Sequence, residues 1–419
     1  MHPNALLELT TELLHRVLQF QHPADSVVSD FFREQRTLGS RERHTLAETV
    51  YTVLRKRLLF QHLAQSGKGE LERRLAILGW QGNDGFLRAA LSEPELHWLT
   101  KVQAVDRAAL PEKLRHNLPD WLVECLQVSL GDEFWAFVAA MDAGAGLDLR
   151  VNTFKAKRDE VRAALTAAGV EAVPTPFSPI GLRIEGKPAL QKLEVFTRGD
   201  IEVQDEGSQL LALLTDAKRG EMVVDFCAGA GGKTLALGAA MRNTGRLYAF
   251  DISGHRLAAL KPRLARSGLS NVHPVQIAHE RDDRIKRLAG KIDKVLVDAP
   301  CSGLGTLRRN PDLKWRQTPQ AVEELRVKQA AILASAARLL KPGGRLVYAT
   351  CSLLEAENEA IAGEFSAANQ GKFEALPVAE LLERAHVDAG AQLVRNDCLR
   401  LWPHRHNTDG FFAAVWQRT

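Results

Sequence analysis

The sequence predicts an α/β protein: a doubly wound parallel sheet, preceded by an all-helical region and a small α+β module. Three observations carry this. From about Gly207 onward, short apolar runs alternate with helical patterns. Before about residue 140, apolar residues recur at helical spacing only. Near Gly144–Gly146 the pattern changes to strand-like alternation. The expected domains are therefore 1–140, 145–205 and 206–419, in a chain of 419 residues that is long enough to bury a sizeable core.

In the first region, Leu6, Leu7, Leu13, Leu14, Val17 and Leu18 share a helix face, and Ser40 is placed to cap a helical stretch running through Leu54, Leu58, Leu59 and Leu63. Pro111 and Pro119 punctuate later helices. In the module, Leu147–Asn152 alternates as a strand, and a helix from Arg158 to Ala168 stops at Gly169. Short strands are expected at Leu182–Ile184 and Ile201–Val203. The large sheet is expected from strands at 222–226, 246–250, 272–277, 293–298 and 345–349, with a long helix across 319–340. Lys341-Pro342-Gly343-Gly344 reads as a sharp stop before the fifth strand, and Gly410–Trp416 as a last one. Pro262 interrupts a helical pattern and is expected to kink it.

Composition sets limits. Hydrophobic content of 45% and charged content of 25% are ordinary for globular protein. A net charge of +4 does not by itself argue for nucleic acid, so any such footprint must be a local patch. The cysteines Cys125, Cys227, Cys301, Cys351 and Cys398 are odd in number and lack a Cys-x-x-Cys pair, which argues against disulfides and structural zinc. His404 and His406 have no partners at metal spacing, so no metal is expected. No run approaches the ~18 apolar residues of a membrane span, and the N-terminus lacks a basic-then-apolar signal pattern. The expectation is a cytoplasmic, monomeric protein that does not bind membranes and keeps its thiols free.

Asp225-Phe226-Cys227-Ala228-Gly229-Ala230-Gly231-Gly232-Lys233-Thr234 joins a strand to a helix through a glycine turn that lets backbone N–H groups approach a ligand. A phosphate-binding P-loop needs glycine where Cys227 stands, and a dinucleotide fingerprint needs Gly or Ala where Thr234 stands. S-adenosylmethionine is the third reading, with Asp251 at the end of the next strand to accept from both ribose hydroxyls. A purely structural turn also remains open.

Cys301 and Cys351 each directly follow an apolar run, at strand ends that face the ligand crevice of an open α/β sheet. Two thiols at one crevice suit covalent chemistry on an electron-poor ring. Cytosine C5 becomes nucleophilic when a thiolate adds to C6, and after methyl transfer the C5 proton must leave before the thiol is expelled. Either cysteine could attack. Asp298, three residues before Cys301, could hydrogen-bond the base edge. A thiol after Asp298-Ala299-Pro300 favours methylation of carbon over an exocyclic amine. A lone buried cysteine would more often be a small core residue.

The segments Asp225–Thr234, Asp298–Gly305 and Ala349–Glu357, with Pro403 and Asp409-Gly410-Phe411-Phe412, resemble the RsmB-like (Fmu/Sun-type) RNA cytosine-5 methyltransferases. The resemblance spans residues 147–419, and the helical N-terminus is similar to the NusB-like RNA-binding domain attached to the family's bacterial ribosomal-RNA member. It implies a Rossmann-like class I methyltransferase sheet and S-adenosyl-L-methionine as cofactor. It also implies Cys351 as nucleophile and Cys301 as the thiol that assists adduct breakdown. The cofactor positions it carries over are Cys227, Ala228, Gly229, Ala230, Gly231, Gly232, Lys233, Asp251 and Asp298. His279 stands where the family usually has an acid, with Glu280 and Asp282 as the nearest substitutes.

Arg308, Arg309, Lys314 and Trp315 interleave basic and aromatic residues beside the crevice and are candidate RNA contacts, with a solvated surface loop as the plain alternative. Arg150 and Asn152 match a family Arg-x-Asn signature that is expected to touch RNA, while Gln204-Asp205 matches another segment for which packing serves equally well. The expected function is methylation of an RNA cytosine, with 16S rRNA as substrate by analogy. The alternatives are a transfer-RNA methyltransferase, a P-loop ATPase and a non-catalytic assembly factor.

Overall fold

A computed structural model describes residues 1–186 and 188–419, and the chain divides into two units. The first comprises Met1–Gly144 together with Thr306–Pro319; the second comprises Ala145–Gly305 and Gln320–Thr419.

The first unit is helical. Leu7, Leu13, Leu14, Val50, Val53 and Leu54 are fully buried in its core. The predicted helix at Ser40 begins one residue earlier than expected. Gly39 is the cap, and the Glu42 side chain reaches back to its N–H at 2.6 Å, so Ser40 is the first helical residue. The Thr306–Pro319 segment is stitched into this unit. Asp312 Oδ2 accepts from the Ala24 N–H at 3.1 Å, Lys314 Nζ donates to the Arg55 carbonyl at 2.8 Å, and Trp315 Nε1 donates to the Leu54 carbonyl at 2.8 Å.

The second unit holds two sheets. The small one is antiparallel in the order β2 (Ala172–Pro174), β3 (Gly181–Ile184), β1 (Leu147–Val151), β4 (Ile201–Val203). Val161 and Leu165 of the helix Arg158–Ala167 share a core with Leu149, Leu182 and Ile201 from these strands.

The large sheet contains β5 (Met222–Asp225), β6 (Arg246–Asp251), β7 (Val272–Gln276), β8 (Ile292–Asp298), β9 (Leu340–Thr350), β10 (Phe373–Ala375), β11 (Val394–Arg395), β12 (Cys398–Leu401) and β13 (Phe411–Arg418). Its order is β11-β12-β13-β9-β8-β5-β6-β7, with β10 paired to β13. Strands β7, β6, β5, β8 and β9 run parallel, but β13 is antiparallel to β9 and the edge beyond it is antiparallel throughout. The sheet is therefore mixed rather than wholly parallel. Lys341–Gly344 does not stop the chain; it lies inside β9 and is accommodated by an irregular register against Ile292 and Lys294. Pro262 sits inside the helix Gly254–Ser267 without ending it.

Asp298 pairs with Ala349 at the C-terminal ends of β8 and β9. That register brings the turns that follow, with Cys301 and Cys351, out of the sheet side by side.

Candidate active site

The glycine turn occupies the C-terminal ends of β5 and β6. Gly229 and Gly231 have φ of +55° and +82°, a region costly for any side chain. A Cβ on Gly231 would lie 2.1 Å from Leu260, whereas one on Gly229 would meet nothing within 4 Å. The turn is thus bare on one side and tightly backed on the other. Asp251 braces it, accepting from the Gly229 N–H at 2.8 Å and the Ser253 N–H at 2.7 Å. Thr234 donates to Asp225 Oδ2 at 2.7 Å. Burial pushes the Asp225 carboxyl up to about 7, and its Oδ1 is buried with no hydrogen-bond partner among the described residues. Burial also pushes the Cys227 thiol well above its ordinary range, so this cysteine lines the turn as a neutral group.

Support for the turn comes from behind. Arg150 Nη1 donates to the Gly232 carbonyl and to Gln204 Oε1, both at 2.7 Å. Arg263 Nη1 donates to the Ala230 carbonyl at 2.8 Å, and its Nη2 pairs with buried Glu202 at 2.9 Å. Asn152 Nδ2 donates to the Gly199 and Ser267 carbonyls at 2.9 and 3.0 Å. Arg150 and Asn152 are 2% and 3% exposed. Their polar groups are turned inward as braces, the packing role weighed for the neighbouring Gln204-Asp205.

The thiol end of the site lies across β8 and β9. Lys233 Nζ and Asp298 Oδ2 form an ion pair at 2.7 Å, joining the glycine helix to the tip of β8. Burial alone would lower the Lys233 pKa, but the Asp298 charge and hydrogen bond outweigh it and hold the ammonium above its ordinary value. The Lys233 ammonium stands 5.8 Å from the centre of the Phe411 ring. Cys301 Sγ and Cys351 Sγ are 3.4 Å apart. The contact with Cys351, then burial, then nearby negative charge push the Cys301 thiol well above its ordinary range. Gly305 locks the two turns to the start of β13. Its N–H donates to the Cys351 carbonyl and its carbonyl accepts from the Gly410 N–H, both at 2.8 Å, and a Cβ there would fall 2.0 Å from Gly410 O.

The structure thus brings together Cys301, Cys351, Asp298 and Lys233, with the glycine turn and Asp251 along the same edge of the sheet. It does not add Lys314 or Trp315 to them, since both are engaged within the helical unit. Arg308 belongs to that unit too and is 5% exposed, while Arg309 is half-buried. His279 is exposed, and its Nδ1 accepts from the Arg281 N–H at 3.1 Å. Asp282 accepts from the Ala278 and Arg284 N–H groups, both at 2.9 Å, and so is committed to closing that turn. Sequence reasoning missed Arg263, Glu202, Gln329 and Glu357. The one available signal was the serine after each cysteine, because Ser302 and Ser352 both reach Glu357.

The glycine turn fits an adenosyl sulfonium cofactor: it is bare where a ligand would lie, and Asp251 retains acceptor capacity beside it.

Comparison with known proteins agrees with this geometry. Residues 212–417 match the family described as 16S rRNA methyltransferase RsmB/F, and residues 118–191 match the ferredoxin-like domain of RsmF/B-like methyltransferases. A probable ribosomal RNA small subunit methyltransferase B from Synechocystis is 36% identical over 302 residues, covering 72% of this chain and 66% of the relative. One from Bacillus subtilis is 27% identical over 421 residues, covering 98% of this chain and 90% of the relative. Among solved structures, that of PH0851 superposes with a TM-score of 0.80 at 28% identity, covering 100% of this chain and 99% of that one. Two thiols and a glycine turn on one sheet edge, in a sequence with these relatives, place the chain in the RsmB/F family of 16S rRNA methyltransferases.

Proposed function

We propose that the protein methylates C5 of a cytosine in 16S rRNA through a covalent adduct at Cys351, with Cys301 assisting release. The pair of thiols 3.4 Å apart beside Asp298 carries this reading. When bound, S-adenosylmethionine supplies the electrophilic methyl group. Cys227, Ala228, Gly229, Ala230, Gly231, Gly232 and Lys233, with Asp251 and Asp298, would hold it.

The chain's own groups then divide the work. An unstacked cytosine enters edge-on to Asp298, which accepts from the N4 amine. The Cys351 thiolate bonds to C6 and raises electron density at C5. Once C5 carries the methyl group, loss of its proton restores the C5–C6 double bond and breaks the Sγ–C6 bond. Cys301 lies against the attacking sulfur and takes part at this step. Its raised pKa keeps it a neutral thiol, able to protonate the Cys351 sulfur as the Sγ–C6 bond breaks, while the C5 proton leaves to water.

Replacing Cys301 with Ala should leave a stable protein–RNA adduct on denaturing gels, and Cys351→Ala should abolish both adduct and methylation. Persistent methylation in Cys351→Ala would overturn the roles. Bisulfite mapping of rRNA and tRNA from a deletion strain tests the substrate. Loss of a 5-methylcytosine from tRNA alone would favour the transfer-RNA alternative.

A further inference from the structure

Each cysteine is followed by a serine, and both serines end on one buried carboxylate. Glu357 is fully buried, in the short turn Glu355–Glu357 after β9. Its Oε1 accepts from the Ser302 N–H at 2.8 Å and from Gln329 Nε2 at 2.9 Å. Its Oε2 accepts from the Ser302 hydroxyl at 2.5 Å and from the Ser352 hydroxyl. The two hydroxyl oxygens are 3.1 Å apart. Gln329, on the helix Pro319–Ala337, also donates to the Pro300 carbonyl at 3.0 Å, and Tyr348 donates to the Glu357 carbonyl at 2.6 Å. A buried carboxylate is tolerated when its lone pairs are filled in this way, and removing any donor leaves the charge under-solvated.

We infer that Glu357 is a positioning residue for the methyl-transfer reaction: it clamps the Cys301 and Cys351 turns together through Ser302 and Ser352. This rests on the proposed roles of Cys351 and Cys301. The geometry explains why the clamp is indirect. The sulfurs must stay free to meet the base, so each turn is held by its neighbouring residue. Among the titratable groups around Cys301, Cys351 and Glu357 both raise its pKa, and Tyr348 lies close enough for its own to be raised by Cys301. The Gly303 N–H acts in the opposite direction.

The test uses the full chain, tritiated S-adenosylmethionine and 16S rRNA from a deletion strain. Glu357→Gln keeps the shape but loses the charge and one acceptor. It should lower kcat by ~10- to 100-fold, the scale of a sub-ångström to ångström misplacement of reacting groups, with both KM values within about twofold. The pH midpoint for decay of the quenched RNA adduct should also move down, because the charge that raises the Cys301 pKa is gone. The double variant Ser302→Ala/Ser352→Ala should lower kcat while leaving that midpoint in place. If Glu357→Gln does not fold, the double variant carries the test. Wild-type kcat in either folded variant, or an unmoved midpoint in Glu357→Gln, overturns the clamp. Cys351→Ala is run in parallel. Methylation there would overturn the thiol roles instead, so the two failures are distinguishable.

Discussion

The two halves of the site are supported in different ways. At the tips of β5 and β6, the glycine turn offers backbone to its ligand, and residues outside the turn hold that backbone: Arg150 and Arg263 take its carbonyls and Asp251 the Gly229 N–H. At the tips of β8 and β9, the working atoms are side-chain sulfurs, and the turns are tied through the adjacent serines to Glu357. The backbone half is braced on the backbone itself, by cations on two carbonyls and an anion on one N–H. A site that reacts through side chains is braced by an anion on hydroxyls and N–H groups. Among the described residues, Lys233 and Asp298 form the ion pair that joins the two halves.

This contrast can be tested, starting with the largest expected effect. Asp298→Asn removes the joining charge and the acceptor for the base amine. It should cost ~10²- to 10³-fold in kcat, the scale seen when one preorganised electrostatic partner is lost, as measured by single-turnover methyl transfer. Equal losses in cofactor affinity and in kcat would place Asp298 on the cofactor side alone. Gly231→Ala forces a Cβ into Leu260 at a left-handed φ, and should lower unfolding stability by roughly 2–3 kcal/mol in urea titrations. Arg150→Met should weaken S-adenosylmethionine binding by about tenfold in calorimetry, near the ~1.4 kcal/mol of one charge-assisted hydrogen bond. RNA affinity should hold. If RNA affinity falls and cofactor affinity does not, Arg150 contacts RNA rather than bracing the turn.

The smallest effect concerns Asp225, whose carboxyl is raised to about 7 from an unfolded value of 3.8. Between those values the folded chain binds more protons than the unfolded one, so this group's contribution is complete below about pH 4 and is lost as pH rises through 7. Asp225→Asn should flatten that part of the stability curve, seen as a melting-temperature difference from wild type that shifts steadily across pH 4–7. A constant difference would mean that Asp225 does not titrate in this range.

Much of this was legible in the sequence. The parallel strands declared themselves as apolar runs such as Val295–Val297, because a strand covered on both faces needs no polar alternation. The thiols and the glycine turn were legible because their chemistry restricts residue type. Of the antiparallel edge, only β13 was, as the run Gly410–Trp416. Phe373–Ala375 and Val394–Arg395 are too short to show a period, and they become strands only by pairing with neighbours. Lys341–Gly344 carries the chemistry of a turn, yet the register of β9 absorbs it. Glu357 and Gln329 gave no signal because buried polar groups follow no spacing; their partners are distant in sequence. Lys314 and Trp315 looked like a surface stripe because composition cannot say which side of a loop faces inward.

The chain passes from one unit to the other more than once. The chain leaves the second unit after Gly305, contributes Thr306–Pro319 to the helical one, and returns at Gln320. No single scission can therefore part the units cleanly. A fragment starting near residue 145 would carry Trp315 and Lys314 without the Leu54 and Arg55 carbonyls they bond. Fourteen helical-unit residues would hang as a sticky insert a few positions from Cys301.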